Sequence, residues 1–231
     1  MEPPQAVQQL VVLAHPSAQS FCSSIAQRWQ DRAARNHQIC DLRDLYREGF
    51  DPVLKAAEQP GKPGFAPDAA NVAECQRMQN IDVLIFVYPV WFGSPPAMLK
   101  GYFDRVIGCG IAFKEGEQTA KPLADVRVVQ IATLASSEPW LAEKGVKGAL
   151  HTLYDQYIAE VFGAKSVLRL HLGTISETMD RGGDFNHERR LERPACGLHR
   201  ACIGNEAACR DPLRAHRLAQ GARPQWLCLL H

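Results

Sequence analysis

Three short stretches of this chain carry residue types that could hold or activate a small molecule. The first is Tyr88-Pro89-Val90-Trp91-Phe92-Gly93, at the end of an apolar run. Its aromatics can form a wall for a flat ring, and backbone N–H groups beside proline and glycine can reach ring heteroatoms. The same residues also fit plain hydrophobic packing at a strand end. The second is His15-Pro16-Ser17-Ala18-Gln19-Ser20-Phe21. A loop leading into a helix N-terminus presents unpaired N–H groups and a partial charge of about +0.5, which suits a phosphate or pyrophosphate. Ser20 adds a hydroxyl and His15 an imidazole. The plainer alternative is that Ser20 only caps a helix and His15 only satisfies a turn. The third is Thr133-Leu134-Ala135-Ser136-Ser137, small enough on average to let a ligand approach the backbone. Neither G-x-G-x-x-G nor a P-loop occurs in the His15 stretch, which argues against nucleoside triphosphate hydrolysis.

The elements that must position these stretches alternate in type. Gln9 to Ala14 is a short apolar run, as expected of a strand covered on both faces. Ser20 is a good N-cap for a helix over Phe21 to Arg35, with Ile25 and Trp29 on one face. A second strand is expected over His37 to Leu42. Leu45 to Leu54 is rich in turn residues, and Pro60 to Pro67 is a loop. Asp68 caps a helix to Gln79. Ile81 to Val87 is the clearest buried strand, broken at Tyr88-Pro89. Pro95 to Ile107 has apolar pairs at helical spacing. Val126 to Leu134 is a fourth strand, Lys147 to Phe162 a helix, and Ser166 to Leu172 a fifth strand. This alternation implies an α/β fold with a parallel sheet and helices on both faces. Five such units fit the flavodoxin-like three-layer order 2-1-3-4-5, where ligands bind beyond the carboxyl ends of the strands. The three stretches follow strands one, three and four, neighbours in that order.

The composition excludes several classes. A formal net charge of +1 over 231 residues gives no global attraction to nucleic acid or anionic lipid. No apolar run reaches the roughly 18–20 residues of a membrane span. The segment MEPPQAVQQL has no basic region and no long apolar run, so a cytoplasmic protein is expected. Of eight cysteines, Cys22, Cys40, Cys75 and Cys109 read as reduced thiols. The expected division is a domain over 1–180 and an atypical tail over 181–231, poorly ordered or not native to the fold. Residues 1–180 hold 8 Lys and 9 Arg, whereas 181–231 hold 9 Arg, four Cys and no Lys. Cys196, His199, Cys202 and Cys209 are potential zinc ligands, but their spacing matches no standard paired pattern.

The segments VVLAHPSAQSF, DLYREGFDPVL and YPVWFGSPPAMLKGYFDRVIGCGIAF resemble the NAD(P)H:quinone oxidoreductase family, the flavodoxin-like group that includes DT-diaphorase, modulator-of-drug-activity and potassium-efflux ancillary proteins. The resemblance runs to about Asp180. It implies a flavin, FAD or alternatively FMN, with NAD(P)H as co-substrate and a quinone-like acceptor served in turn at one site by hydride transfer. It also implies a homodimer with the site at the subunit interface. By similarity, His15, Gln19, Ser20, Phe21 and Cys22 would hold flavin phosphates. Pro89, Val90, Trp91 and Phe92 would contact the isoalloxazine ring, and Thr133, Leu134 and Ala135 would lie beside its pyrimidine edge. A regulatory subunit of an ion-efflux system is the alternative within the same resemblance.

The chain departs from the family pattern at several points. Cys22 stands where Asn is common, and Thr133-Leu134-Ala135 replaces Thr-Gly-Gly. Trp140 and Lys147 stand near the Tyr and His positions of the animal enzymes, so no protein acid or base is assigned. A closing helix after the fifth strand is not apparent beyond Ile175-Ser176-Glu177-Thr178-Met179, which would leave apolar sheet surface exposed.

Overall fold

The computed structural model describes residues 6–111, 113–114, 117–118, 121–173 and 175, with backbone alone at 113–114, 117–118 and 138. Five parallel strands form one sheet: β1 (Gln8–Leu13), β2 (Ile39–Asp44), β3 (Val83–Pro89), β6 (Arg127–Thr133) and β7 (Ser166–Leu172). Their order is β2-β1-β3-β6-β7, the expected 2-1-3-4-5 arrangement. A short antiparallel pair, β4 (Phe113–Lys114) and β5 (Glu117–Gln118), lies outside that sheet. The helices are α1 (Phe21–Arg35), α2 (Ala69–Met78), α3 (Ala97–Tyr102), α4 (Glu138–Glu143), α5 (Val146–Leu150) and α6 (Tyr157–Phe162).

The strand register sorts side chains onto two faces. Leu84 pairs with Leu10 and Val128, and Phe86 with Val12 and Gln130. These even positions pack with Met78 of α2, Leu99 and Tyr102 of α3, and Ile158 of α6. The odd positions include Val11, Ile85 and Val129, all fully buried. On that side Trp29 of α1 donates its indole N–H to Gln9 Oε1 at 2.8 Å. β3 is buried at all 7 positions because it is central and both its faces are covered. Each fully buried Leu, Ile, Val or Phe there contributes about 1.5–3 kcal/mol.

Local chemistry explains most of the boundaries. Ser20 accepts from Ser23 N and Asp68 from Ala70 N, so α1 and α2 begin where their caps place them. The second strand starts at Ile39 rather than His37, because His37 adopts φ 55 and closes the turn after α1. β3 does not break at Tyr88: it runs through Pro89, which pairs with Thr133 at the strand end. Proline is tolerated there because the next N–H, that of Val90, continues the ladder to Thr133 O at 2.8 Å. The Pro95–Ile107 helix begins at Ala97 and widens into a π-helical turn over Phe103–Ile107. A second π turn, His151–Gln156, joins α5 to α6, so 146–162 is helical throughout. The rings of Phe103 and Tyr154 meet at 6.2 Å, one from each widened turn.

The buried polar groups at the end of β3 are paired. Arg169 of β7 donates Nε to Asp155 Oδ1 at 2.7 Å and Nη2 to Gln130 Oε1 at 3.0 Å. Tyr88 donates its hydroxyl to the same Gln130 oxygen at 2.7 Å. Burial pushes the Tyr88 phenol well above its ordinary range, so it remains a neutral donor. Leu168 of β7 is 41% exposed. The expected missing helix beyond residue 175, the 181–231 tail and its Cys/His group lie outside the described residues.

Candidate functional site

Because all five strands run in one direction, the loops after β1, β3 and β6 leave the same edge of the sheet, and these strands are neighbours. The loop after β1 is tied internally. Ser17 N donates to His15 Nδ1 at 3.0 Å and Gln19 N to Ser17 Oγ at 3.3 Å. Ser20 is buried, and its Oγ accepts from Ser23 N at 3.1 Å and contacts Ser23 Oγ at 2.8 Å. Its hydroxyl is thus committed to the cap. The first turn of α1 carries no acidic side chain, so nothing there opposes an anion at the positive end of this helix.

The loop after β3 is a tight two-residue turn. Trp91 N donates to Ser94 O at 2.9 Å and Ser94 N to Trp91 O at 3.1 Å. The two residues between them have positive φ, Phe92 at 50 and Gly93 at 81. Two left-handed residues closed by reciprocal bonds make a type I′ turn. Glycine enters that region freely, but a phenylalanine is strained in it. The Phe92 ring is fully exposed at 109%, and Trp91 is 41% exposed. Of the backbone N–H groups in this stretch, those of Trp91 and Val90 are both used by the fold. Those of Phe92 and Gly93 have no acceptor among the described residues.

Contacts between the loops bring several expected residues together. The His15 ring meets Trp91 edge-on at 5.7 Å. Cys22 Sγ and Thr133 Oγ1 lie 3.2 Å apart, joining the first turn of α1 to the end of β6 across β3. Pro89 is buried against Thr133, and Phe21 is buried in the α1 face. Leu134 is buried, with its N–H donated to Leu172 O at 2.9 Å and its carbonyl accepting from Ile175 N at 3.0 Å. Its backbone therefore belongs to the junction with β7 and not to the open edge. Ala135, the next residue, is exposed.

The expected residues thus divide into two groups. Gln19, Trp91, Phe92 and Ala135 are exposed, with His15 and Val90 partly so, while Ser20, Phe21, Cys22, Pro89, Thr133 and Leu134 form the buried frame. Trp140 on α4 is 49% exposed and Lys147 on α5 is exposed. Residue spacing did not reveal that α5 also borders the turn after β3: a Cβ placed on Gly93 would lie 3.9 Å from Val146. It also did not reveal the Tyr88–Gln130–Arg169 bonds that fix the end of β3. Their signal was present as the polar residues Gln130 and Arg169 inside the apolar runs VRVVQIATL and SVLRLHL.

This sheet and this edge define a flavodoxin-like protein. Residues 8–190 match the family described as having the flavodoxin-like fold, and the chain belongs to that family. It is 34% identical over 145 residues to a Haemophilus influenzae protein named an uncharacterised NAD(P)H oxidoreductase, an alignment spanning 62% of this chain and 71% of the relative. It is 27% identical over 165 residues to NAD(P)H dehydrogenase (quinone) 1 of Cavia porcellus, spanning 62% of this chain and 59% of that protein. Among solved structures, an NAD(P)H:quinone oxidoreductase from Methanothermobacter marburgensis superposes with a TM-score of 0.67 at 23% identity. That match covers 84% of this chain and 98% of the other.

Proposed function

We propose that the protein is a flavin-dependent NAD(P)H oxidoreductase that reduces a quinone-like acceptor. The observation that carries this reading is the turn at Trp91–Ser94, which holds Phe92 exposed in a strained conformation while Trp91 meets the His15 ring. Such strain persists where the surrounding structure over-determines it, and it clusters at active sites and ligand clamps. The site fits a flavin on three counts: an aromatic wall at Trp91 and Phe92, two N–H groups in that turn without an acceptor among the described residues, and a helix N-terminus whose first turn carries no acidic side chain. When bound, the flavin supplies a ring that accepts a hydride from the nicotinamide and passes it to the acceptor.

The chain's own residues bind and orient. Trp91, Phe92 and Val90 would flank the ring. His15, Gln19 and the start of α1 at Phe21 and Cys22 would face the phosphates, with Ser20 holding that helix end in place. Thr133 and Ala135 would border the remaining edge, with Leu134 as their support. FAD is the form we assign, following the resemblance of the His15 loop to that of the quinone reductases, with FMN as the competing form. The exposed aromatics Trp91, Phe92 and Trp140 suit a homodimer whose partner closes the site. The relatives above are named as oxidoreductases and dehydrogenases, which favours catalysis over a regulatory role at an efflux system. Among the described residues no helix is long and apolar enough to cross a membrane.

The test is reconstitution. Purified protein is incubated with excess flavin, desalted and examined by visible absorption. Retained flavin bands, bleached by NADPH and restored by a quinone, are expected; mass spectrometry of the released cofactor separates FAD from FMN. A folded, soluble protein that retains no flavin overturns the proposal.

A further inference from the structure

A second reactive feature lies at the opposite edge of the sheet. The helices run antiparallel to the strands, so the C-terminal ends of α2 and α3 return to the amino edge, away from His15 and Trp91. Cys75 sits in the last turns of α2, and Cys109 in the 3-10 turn Gly108–Gly110 that follows α3. The backbone that follows Cys109 packs directly on the Cys75 thiol. Cys109 Sγ also lies 3.6 Å from Asn71 O, one helical turn before Cys75, and donates to Val106 O at 3.0 Å. Gly110 makes this approach feasible: a Cβ there would stand 2.4 Å from Cys75 Sγ. Cys75 is buried and Cys109 is half-buried, so an oxidant from solvent meets Cys109 first. The buried Asn71 side-chain amide has no acceptor beside this pair.

We propose that Cys75 and Cys109 form a redox-active dithiol site, distinct from the carboxyl-edge site, that hydrogen peroxide converts to an intramolecular disulfide. Cys109 sulfur attacks one peroxide oxygen. The S–O bond forms, the O–O bond breaks, and the departing hydroxide takes the thiol proton as water. Cys75 sulfur then attacks the sulfenic sulfur of Cys109. The S–S bond forms, the S–O bond breaks, and a second water leaves with the Cys75 proton. Two thiols are oxidised by two electrons and one peroxide is reduced. The bridge would tie α2 to the end of α3 and enclose β3 with its turn in one covalent loop. The pairing does not depend on flavin binding.

The experiment is a peptide map of the full chain. Reduced protein is treated with hydrogen peroxide, unreacted thiols are alkylated under denaturing conditions, and the digest is analysed by mass spectrometry. The expected product joins the Cys75 and Cys109 peptides, is two hydrogens lighter than their sum, and disappears on reduction with dithiothreitol. In Cys75→Ser the cross-link is absent, and a dimedone adduct appears on Cys109 instead. The proposal is overturned if both thiols remain alkylatable after Cys22 or Cys40 has been oxidised. It is equally overturned if either one bridges mainly to another cysteine, or if Cys109 proceeds to sulfinic acid in the wild-type chain without a bridge. The wild-type map decides the matter even where the variant folds poorly.

Discussion

The pocket around Arg105 and the turn around Phe92 treat unusual residues in opposite ways. Arg105 is buried, and its donors are used inside the protein. Nε and Nη2 reach the two oxygens of Glu58 at 2.8 and 2.7 Å, Nη1 reaches the Asp51 carbonyl, and the Phe50 ring lies 5.9 Å from the guanidinium carbon. Phe92 is the reverse, a large apolar side chain wholly in solvent on a left-handed backbone. The first region holds the irregular 50–58 segment onto the end of α3, and removing a partner there leaves a buried charge. The second has unfavourable features that serve no packing purpose among the described residues. Self-sufficiency marks the scaffold, and local cost without internal return marks the place for a ligand.

The contrast can be broken most sharply at the scaffold. Arg105→Ala is expected to destabilise by about 3–5 kcal/mol in chemical denaturation, because Glu58 stays buried without its partner. Converting both residues to apolar ones of similar size should cost less. A loss below 1 kcal/mol for Arg105→Ala would mean that the pair is not buried as described. The same pair sets an acid limit. Its hydrogen bonds with Arg105 hold the Glu58 carboxyl down at about 2. Its folded value lies below the unfolded one, so its contribution is complete above the usual carboxylate range. That contribution fades as pH falls toward about 2. Melting temperatures across that window should drop in the wild type, and more shallowly in Glu58→Gln.

At the turn the expected effects are smaller and divided in sign. Phe92→Gly should weaken flavin retention about tenfold, through the lost aromatic wall. The same change should leave the cofactor-free protein about 0.5–1 kcal/mol more stable, since glycine removes the left-handed strain. A parallel fall in both quantities would assign Phe92 to the scaffold and dissolve the contrast. Ser20→Ala should cost about 1 kcal/mol of stability through the lost cap. Ser20→Asp, which restores the cap but adds negative charge, should recover stability while weakening flavin binding. Recovery of both would remove α1 from the anion site.

Much of the fold was legible before the structure. The α1 limits and those of β7 were readable from cap chemistry and apolar runs, since both are local properties. The sheet order followed from strand–helix alternation and from resemblance. The π turns in α3 and before α6 were not legible, because one extra residue per turn leaves no periodic trace over so short a span. The start of β2 was missed because His37 takes a conformation that an aromatic or imidazole side chain rarely adopts. At the site, residue types singled out the three loops, but not the roles within them. Leu134 and Ala135 are adjacent, yet one is locked into the junction with β7 and the other is exposed.

The order of residues along the chain alone determined where strands, caps and turns form, because each depends on neighbours a few positions away. Which distant groups meet was decided only by the tertiary structure. His15 against Trp91, Cys22 against Thr133, Glu58 beneath Arg105 and the Cys109–Gly110 turn against α2 all bridge separate strand–helix units. Their pairing depends on sheet register and helix packing. Those are settled by burying both faces of one shared sheet at once, a condition that no local spacing expresses.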